Sequence, residues 1–115
     1  MCGCQRVRQR SVRALENARS IFWEARRTLE NPFAKNSEKL SEARTISWKI
    51  NALLGEVSSL SKENNALMRE ENSTFANNAY HNLLEANNAL ELSLGMVAKK
   101  VRQIEAKEIF GDLLA

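Results

Sequence analysis

The sequence is poor in the residues that interrupt or crosslink a chain. Its 115 residues include one proline, four glycines, two cysteines and one histidine. Two cysteines cannot form the disulfide framework of a small secreted domain. Cys2 and Cys4 supply only half of a structural zinc site, and His81 is far away in the sequence. We therefore expect neither a metal nor a cofactor, and acylation of the two thiols is an open alternative.

Long apolar runs and catalytic motifs are absent as well. No run approaches the roughly 20 residues that cross a bilayer, and no apolar signal-peptide region follows the basic start. The sequence has no glycine-rich phosphate loop, no Gly-x-Ser-x-Gly elbow and no His-Glu-x-x-His pair. His81 precedes Glu85 by one helical turn, which is typical of a surface pair. These absences favour a protein that is not an enzyme.

What remains is a composition typical of helices. Alanine, leucine, glutamate, lysine, arginine and asparagine dominate the chain, and these residues favour helix over sheet. The composition therefore predicts an all-α fold of elongated helices, arranged as a helical hairpin or like a coiled coil, without a sheet.

The order of segments follows from apolar spacing and from the single proline. Residues 1–31 predict a basic amphipathic helix, with Val12, Leu15, Phe22 and Leu29 on its apolar stripe. Residues 32–36 predict a turn, because Pro32 cannot continue a helical hydrogen-bond ladder. Residues 37–115 predict a long helical segment, and Gly111 is placed to end its last helix. A break is expected within 71–78, where the apolar spacing is lost, so the segment is either one long helix or two antiparallel arms.

One row of residues in this segment has the spacing of a helix–helix seam. Its members recur at alternating intervals of three and four, as in a coiled coil. We expect this row to hold a homo-oligomer together. Its members are Leu53, Val57, Leu60, Asn64, Leu67, Leu83, Asn87, Leu90, Leu94, Val97, Val101 and Ile104.

Asparagine occupies two places in this row where leucine would stabilise more. The tetrapeptide NNAL occurs at 64–67 and again at 87–90, which puts Asn64 and Asn87 on the seam. A seam asparagine selects register and oligomer number at a cost in stability. The alternatives are a polar strip that lines a wet interior, and an exposed surface in a chain of biased composition.

The basic charge is concentrated at the start of the chain. Residues 1–27 carry seven arginines against two glutamates, a net charge of +5, whereas the other 88 residues carry ten basic and twelve acidic groups. Arginine forks suit phosphate. Such an arm can contact nucleic acid or an acidic partner, and a solvated helix face is the alternative. The candidate contacts are Arg6, Arg8, Arg10, Arg13 and Arg19.

Three features together resemble a known family. The Met1-Cys2-Gly3 start, the early basic helix and the small-residue stretch at 52–58 resemble the small internal virion proteins of T7-like short-tailed phages. The resemblance implies a protein stored in the virion interior and released with the genome to help form a DNA conduit through the host cell envelope. It implies other virion proteins as partners. The chain is shorter and lacks that family's apolar, alanine-rich segment, so membrane association stays open.

Three functional hypotheses follow. The first is a structural, non-catalytic virion protein that homo-oligomerises and contributes to a DNA conduit. The second is a nucleic-acid-binding helical module that makes non-specific DNA contacts through its arginine-rich arm. The third is a coiled-coil adaptor, located in the cytoplasm, that docks on a larger complex.

Overall fold

The computed structural model describes residues 3–70 and 73–114 of the chain. Three α-helices account for nearly all of them: α1 at Gly3–Leu29, α2 at Asn36–Glu70 and α3 at Thr74–Leu114. No strand occurs within these ranges. The predicted all-α class is confirmed. Cys2 and the first two residues of the predicted break, at 71–72, lie outside the described residues.

The helices run up, down and up in an elongated bundle of 65 × 21 × 16 Å. Helix α1 is antiparallel to α2, because Arg6 contacts Glu63 whereas Glu24 contacts Lys49. Helix α1 is parallel to α3, because Ser11 contacts Asn82 whereas Arg19, further along α1, contacts Glu85, further along α3. Helix α3 has 41 residues, about 61 Å at 1.5 Å per residue, and nearly spans the bundle by itself.

The first connection follows from local sequence. Helix α1 ends at Leu29, three residues before Pro32, and the Asn31 side chain accepts a hydrogen bond from the Phe33 amide at 3.0 Å. Helix α2 then begins with Glu38 in its first turn, where a carboxylate is favoured by the helix dipole. The chain therefore reverses direction within six residues.

Each helix contributes one apolar row to a shared core. In α1 the row is centred on Val7, Ala14, Ala18 and Ala25, which are at most 1% exposed. Small residues here allow close packing against both other helices. In the middle of the bundle the core is larger, with the aliphatic side chains of Ile46, Ile50, Leu53, Leu83 and Leu90.

Some positions differ from the apolar pattern read along the sequence. Val12 and Phe22 were expected on the core stripe of α1 but are only half-buried, since Ser11 and Ile21 point inward instead. Gly111 was expected to end the last helix, yet α3 continues to Leu114. A C-terminal glycine cap needs a positive φ, and no glycine in the described ranges has one.

Candidate functional site

The predicted oligomer seam lies mostly inside a single chain. Eight of its twelve members are buried in the bundle, where they contact the chain's own helices: Leu53, Val57, Leu60, Asn64, Leu83, Leu90, Val97 and Ile104. This is a correction for these eight, because a side chain that is buried between helices of its own chain is not free to contact another copy. Heptad spacing indicates a neighbouring helix but does not indicate which chain supplies it.

The other four members are only partly covered. Leu67 is half-buried, with its side chain 3.5 Å from the position that a Cβ on Gly3 would occupy. Asn87 and Val101 are half-buried, and Leu94 is 37% exposed. Of these four, Asn87 lines a groove between α2 and α3.

Asn64 is an enclosed polar group rather than a surface residue. Its side chain is 1% exposed, and its Nδ2 donates to the Ala76 carbonyl at 2.9 Å and lies 3.6 Å from the Met68 sulfur. Its Oδ1 is buried and accepts no hydrogen bond within the described part of the chain. An unsatisfied buried acceptor costs about 1–3 kcal/mol. Asn64 therefore ties the end of α2 to the start of α3 at a cost in stability.

Two buried serines complete the polar interior and were not singled out from the sequence. Ser11 donates to the Arg8 carbonyl at 2.6 Å and accepts from Asn82 Nδ2 at 3.2 Å, which links α1 to α3. Ser93 donates to the Ala89 carbonyl within α3. The available signal was their spacing: Ser93 lies three residues after Leu90 and four before Val97. Both hydroxyl groups are satisfied inside the protein.

The predicted arginine contacts are divided between two sides of α1. At 100° per residue, Arg6, Arg10 and Arg13 lie toward α2, whereas Arg8 and Arg19 lie toward α3. Arg6 pairs with Glu63 at 3.3 Å and Arg19 with Glu85 at 3.2 Å. These five side chains therefore do not form one patch.

Two of these arginines are available for an external anion. Arg10 and Arg13 are exposed, and neither makes an ion pair within residues 3–70 and 73–114. The pairs made by Arg6 and Arg19 are solvent-exposed, and such pairs contribute roughly 0–1 kcal/mol to stability. A phosphate group could replace the carboxylates at little cost. The arrangement supports anion contact, without geometry that would define a specific ligand.

A groove between α2 and α3 borders Asn64 and Asn87. It has a volume of about 310 Å³, a floor that includes Val57, Asn64 and Leu83, and rims at Tyr80 and Asn87. The polar side chains that line this groove are two serines, three asparagines and one tyrosine. Such a lining can hydrogen-bond a neutral group, but it offers no general base or nucleophile pair.

Metal and membrane sites find no support in the described helices. No group of three histidine, cysteine, aspartate or glutamate side chains could hold a metal ion in the ranges 3–70 and 73–114. Over the same residues, no helix has a stretch that is both long and apolar enough to cross a bilayer. Cys4 is a free thiol that is buried in the core.

The outward surface of α3 carries a second row with heptad spacing, which we call the outer strip. The outer strip was not predicted, because the predicted seam, which we also call the inner row, already explained the heptad spacing in α3. Every member is exposed, and Leu92 and Ile109 are more than half exposed. The members recur at alternating intervals of four and three: Asn88, Leu92, Gly95, Lys99, Arg102, Ala106 and Ile109.

Comparison with known proteins adds no identification. No protein-family model, no curated protein and no solved structure matches this chain.

Proposed function

We propose that this protein is a structural, non-catalytic α-helical assembly protein. The observation that carries the proposal is the contrast between a filled core and the exposed outer strip. The described core holds aliphatic side chains with one unsatisfied polar atom, at Asn64. By contrast, Leu92 and Ile109 on the outer strip, and Phe110 beside it, are each at least 60% exposed. Ile109 and Phe110 are adjacent, and a contiguous group of exposed apolar side chains favours contact with another protein.

The virion location is part of this proposal, and its support is the sequence resemblance. A DNA conduit would need an uncharged lumen. Asn64 is enclosed by the bundle, so amides that line such a lumen would have to come from the exposed Asn65 and Asn88 and from the half-exposed Asn87. Neutral amides suit a passage for DNA because they bind phosphate weakly, without counterion release.

Sedimentation in the native background tests the assembly proposal. The tagged chain, expressed in the source of this sequence, is run on a density gradient, and particle fractions are analysed by mass spectrometry. An assembly protein should travel with a particle far larger than its 13.0 kDa. Purified virions would be the particle if the resemblance holds. A chain found only among free small proteins would contradict the proposal.

Phosphate contact by α1 is a second candidate, favoured by the exposed and unpaired Arg10 and Arg13. Counterion release makes the logarithm of affinity fall with the logarithm of salt, by about 0.9 units for each duplex phosphate contacted. Replacing both arginines with glutamine should therefore reduce that slope by about two. The matched control is Arg44→Gln with Lys62→Gln, since both residues are exposed on α2. Absence of binding to duplex DNA at low salt would reject this candidate.

A further inference from the structure

The spacing of the outer strip selects the kind of partner. Intervals of four and three average 3.5 residues per turn, which keeps a row of side chains against a second helix that coils around the first. A flat surface imposes no such period. The strip from Asn88 to Ile109 covers 22 residues, or about 32 Å of helix. A helix lying alongside α3 would therefore contact it over several turns.

The charges of α3 select the direction of that partner helix. From Glu70 to Ala98 the chain has no lysine or arginine, and the acids of α3 in this part are Glu85 and Glu91. The bases of α3 begin at Lys99 and include Arg102, and they are followed by acids at Glu105, Glu108 and Asp112. A parallel copy would place like charges opposite each other. An antiparallel copy centred near Gly95 places Glu91 of one helix opposite Lys99 of the other.

Gly95 marks the point where two such helices can approach most closely. It lies in a shallow hollow lined by Asn88, Leu92, Met96 and Lys99, and a Cβ built on it would meet nothing within 4 Å. The glycine is therefore not needed for packing inside this chain. Glu91 and Lys99 each lie four residues from Gly95, one on either side, so a two-fold axis at Gly95 brings them together twice.

We propose that two copies of this chain pair through their outer strips, antiparallel, with the helices crossing near Gly95. The inference deepens the proposed function, on which it rests, by naming the surface and the partner. A nucleic acid is a poorer occupant, because the first half of α3 has no cation to bind phosphate. A contact between two helices is small among protein interfaces, so we expect a reversible dimer whose population depends on protein concentration.

Solution mass is the first test of this dimer. Sedimentation velocity from low to high micromolar protein should show the mass rising from 13.0 kDa toward twice that value. Leu92→Glu should weaken the association at least tenfold. The control is Trp48→Glu, because Trp48 is 76% exposed on α2, away from the strip, and this variant should associate as the wild type does. A monomer at every concentration would overturn the proposal.

Charge reversal tests the antiparallel direction. Glu91→Lys alone and Lys99→Glu alone should each weaken the dimer several-fold, since each places like charges together. The double variant should restore the wild-type affinity. The side chains of Glu91 and Lys99 are both exposed. Glu91 accepts a hydrogen bond from Asn87 at 3.2 Å, and Glu91→Lys removes this contact as well. Failure of the double variant to recover would overturn the proposed direction.

Crosslinking tests the position of the crossing. In a Cys2→Ser, Cys4→Ala background, Gly95→Cys should form a disulfide-linked dimer under mild oxidation. Gly55→Cys is the matched control, because Gly55 is also exposed in mid-helix with open space around it, and it should stay monomeric. Equal crosslinking at both positions would contradict the crossing at Gly95.

A chain that sediments with particles but never dimerises would reject this inference and leave the assembly function standing.

Discussion

Helix α3 presents two rows of side chains with the same spacing, one inside the bundle and one on its outer surface. Leu90, on the inner row, is fully buried, whereas Leu92, on the outer strip, is 64% exposed. The two leucines lie two residues apart, about 200° around the helix. Their difference shows that heptad spacing indicates contact with a helix but not whether that helix belongs to the same chain.

The largest expected effect separates these two leucines. Leu90→Ala removes a fully buried side chain, and such substitutions cost about 2–5 kcal/mol through lost transfer free energy and a residual cavity. Leu92→Ala should change the free energy of unfolding of the monomer by less than about 0.5 kcal/mol. Urea unfolding at low protein concentration measures both values. If both substitutions lowered the free energy of unfolding equally, Leu90 and Leu92 would not differ in burial, which would contradict the division into an inner row and an outer strip.

The helices could be predicted from the sequence because their signals are local. The missing disulfides, the helical composition and the position of Pro32 together specified an all-α chain with a turn after the first helix. The residues of α1 that face the core were harder to predict. Ser11 occupies an inward position that an apolar count passes over, so Val12 was assigned to the core instead.

The partners of the helices could not be predicted, since partnership is a long-range property. The row from Leu53 to Ile104 has the spacing of an oligomer seam, and it is buried mainly within one chain. Nothing local distinguishes these alternatives, because a helix packs in the same way on a neighbour from its own chain or from another. The outer strip was missed for the same reason, since one helical period was already explained by the inner row.

The next effect concerns Asn64, the polar member of the inner row. Asn64→Leu should raise the free energy of unfolding by about 1 kcal/mol. Removing the unsatisfied Oδ1 and burying a larger apolar side chain outweigh the lost hydrogen bond to Ala76. The solution mass should not change, because Asn64 is enclosed by its own chain. Asn65→Leu, at the exposed neighbour, is the control and should be nearly neutral. A changed mass for Asn64→Leu would instead support the role in selecting oligomer number.

The two mid-helix glycines sharpen the comparison between the outer surfaces of α2 and α3. Gly55→Ala and Gly95→Ala should each stabilise the monomer by up to about 1 kcal/mol, because alanine favours helix and both sites are open. Only Gly95→Ala should also weaken self-association. Thermal unfolding of dilute protein gives the first effect, and sedimentation gives the second. The same loss of association at Gly55 would show that the outer strip is not special.

The smallest effect is expected at the surface ion pairs. Lys49→Ala removes a 2.9 Å contact with Glu24 between α1 and α2, at 44% and 27% side-chain exposure. Pairs that are this exposed contribute about 0.2–1 kcal/mol, and salt screens them. The difference in unfolding free energy from wild type should shrink as salt is raised from 0.05 to about 1 M. A loss above 2 kcal/mol would place Lys49 in the core packing rather than on the surface.

The most direct test of the central claim is the concentration dependence of unfolding for Leu92→Glu. The claim is that the inner row forms the core of a single chain and the outer strip forms the contact between chains. With the outer strip disabled, the variant should unfold in one cooperative transition whose midpoint is unchanged over a hundredfold range of protein concentration. A midpoint that rises with concentration would contradict the account, because it would show that the inner row is completed by another copy.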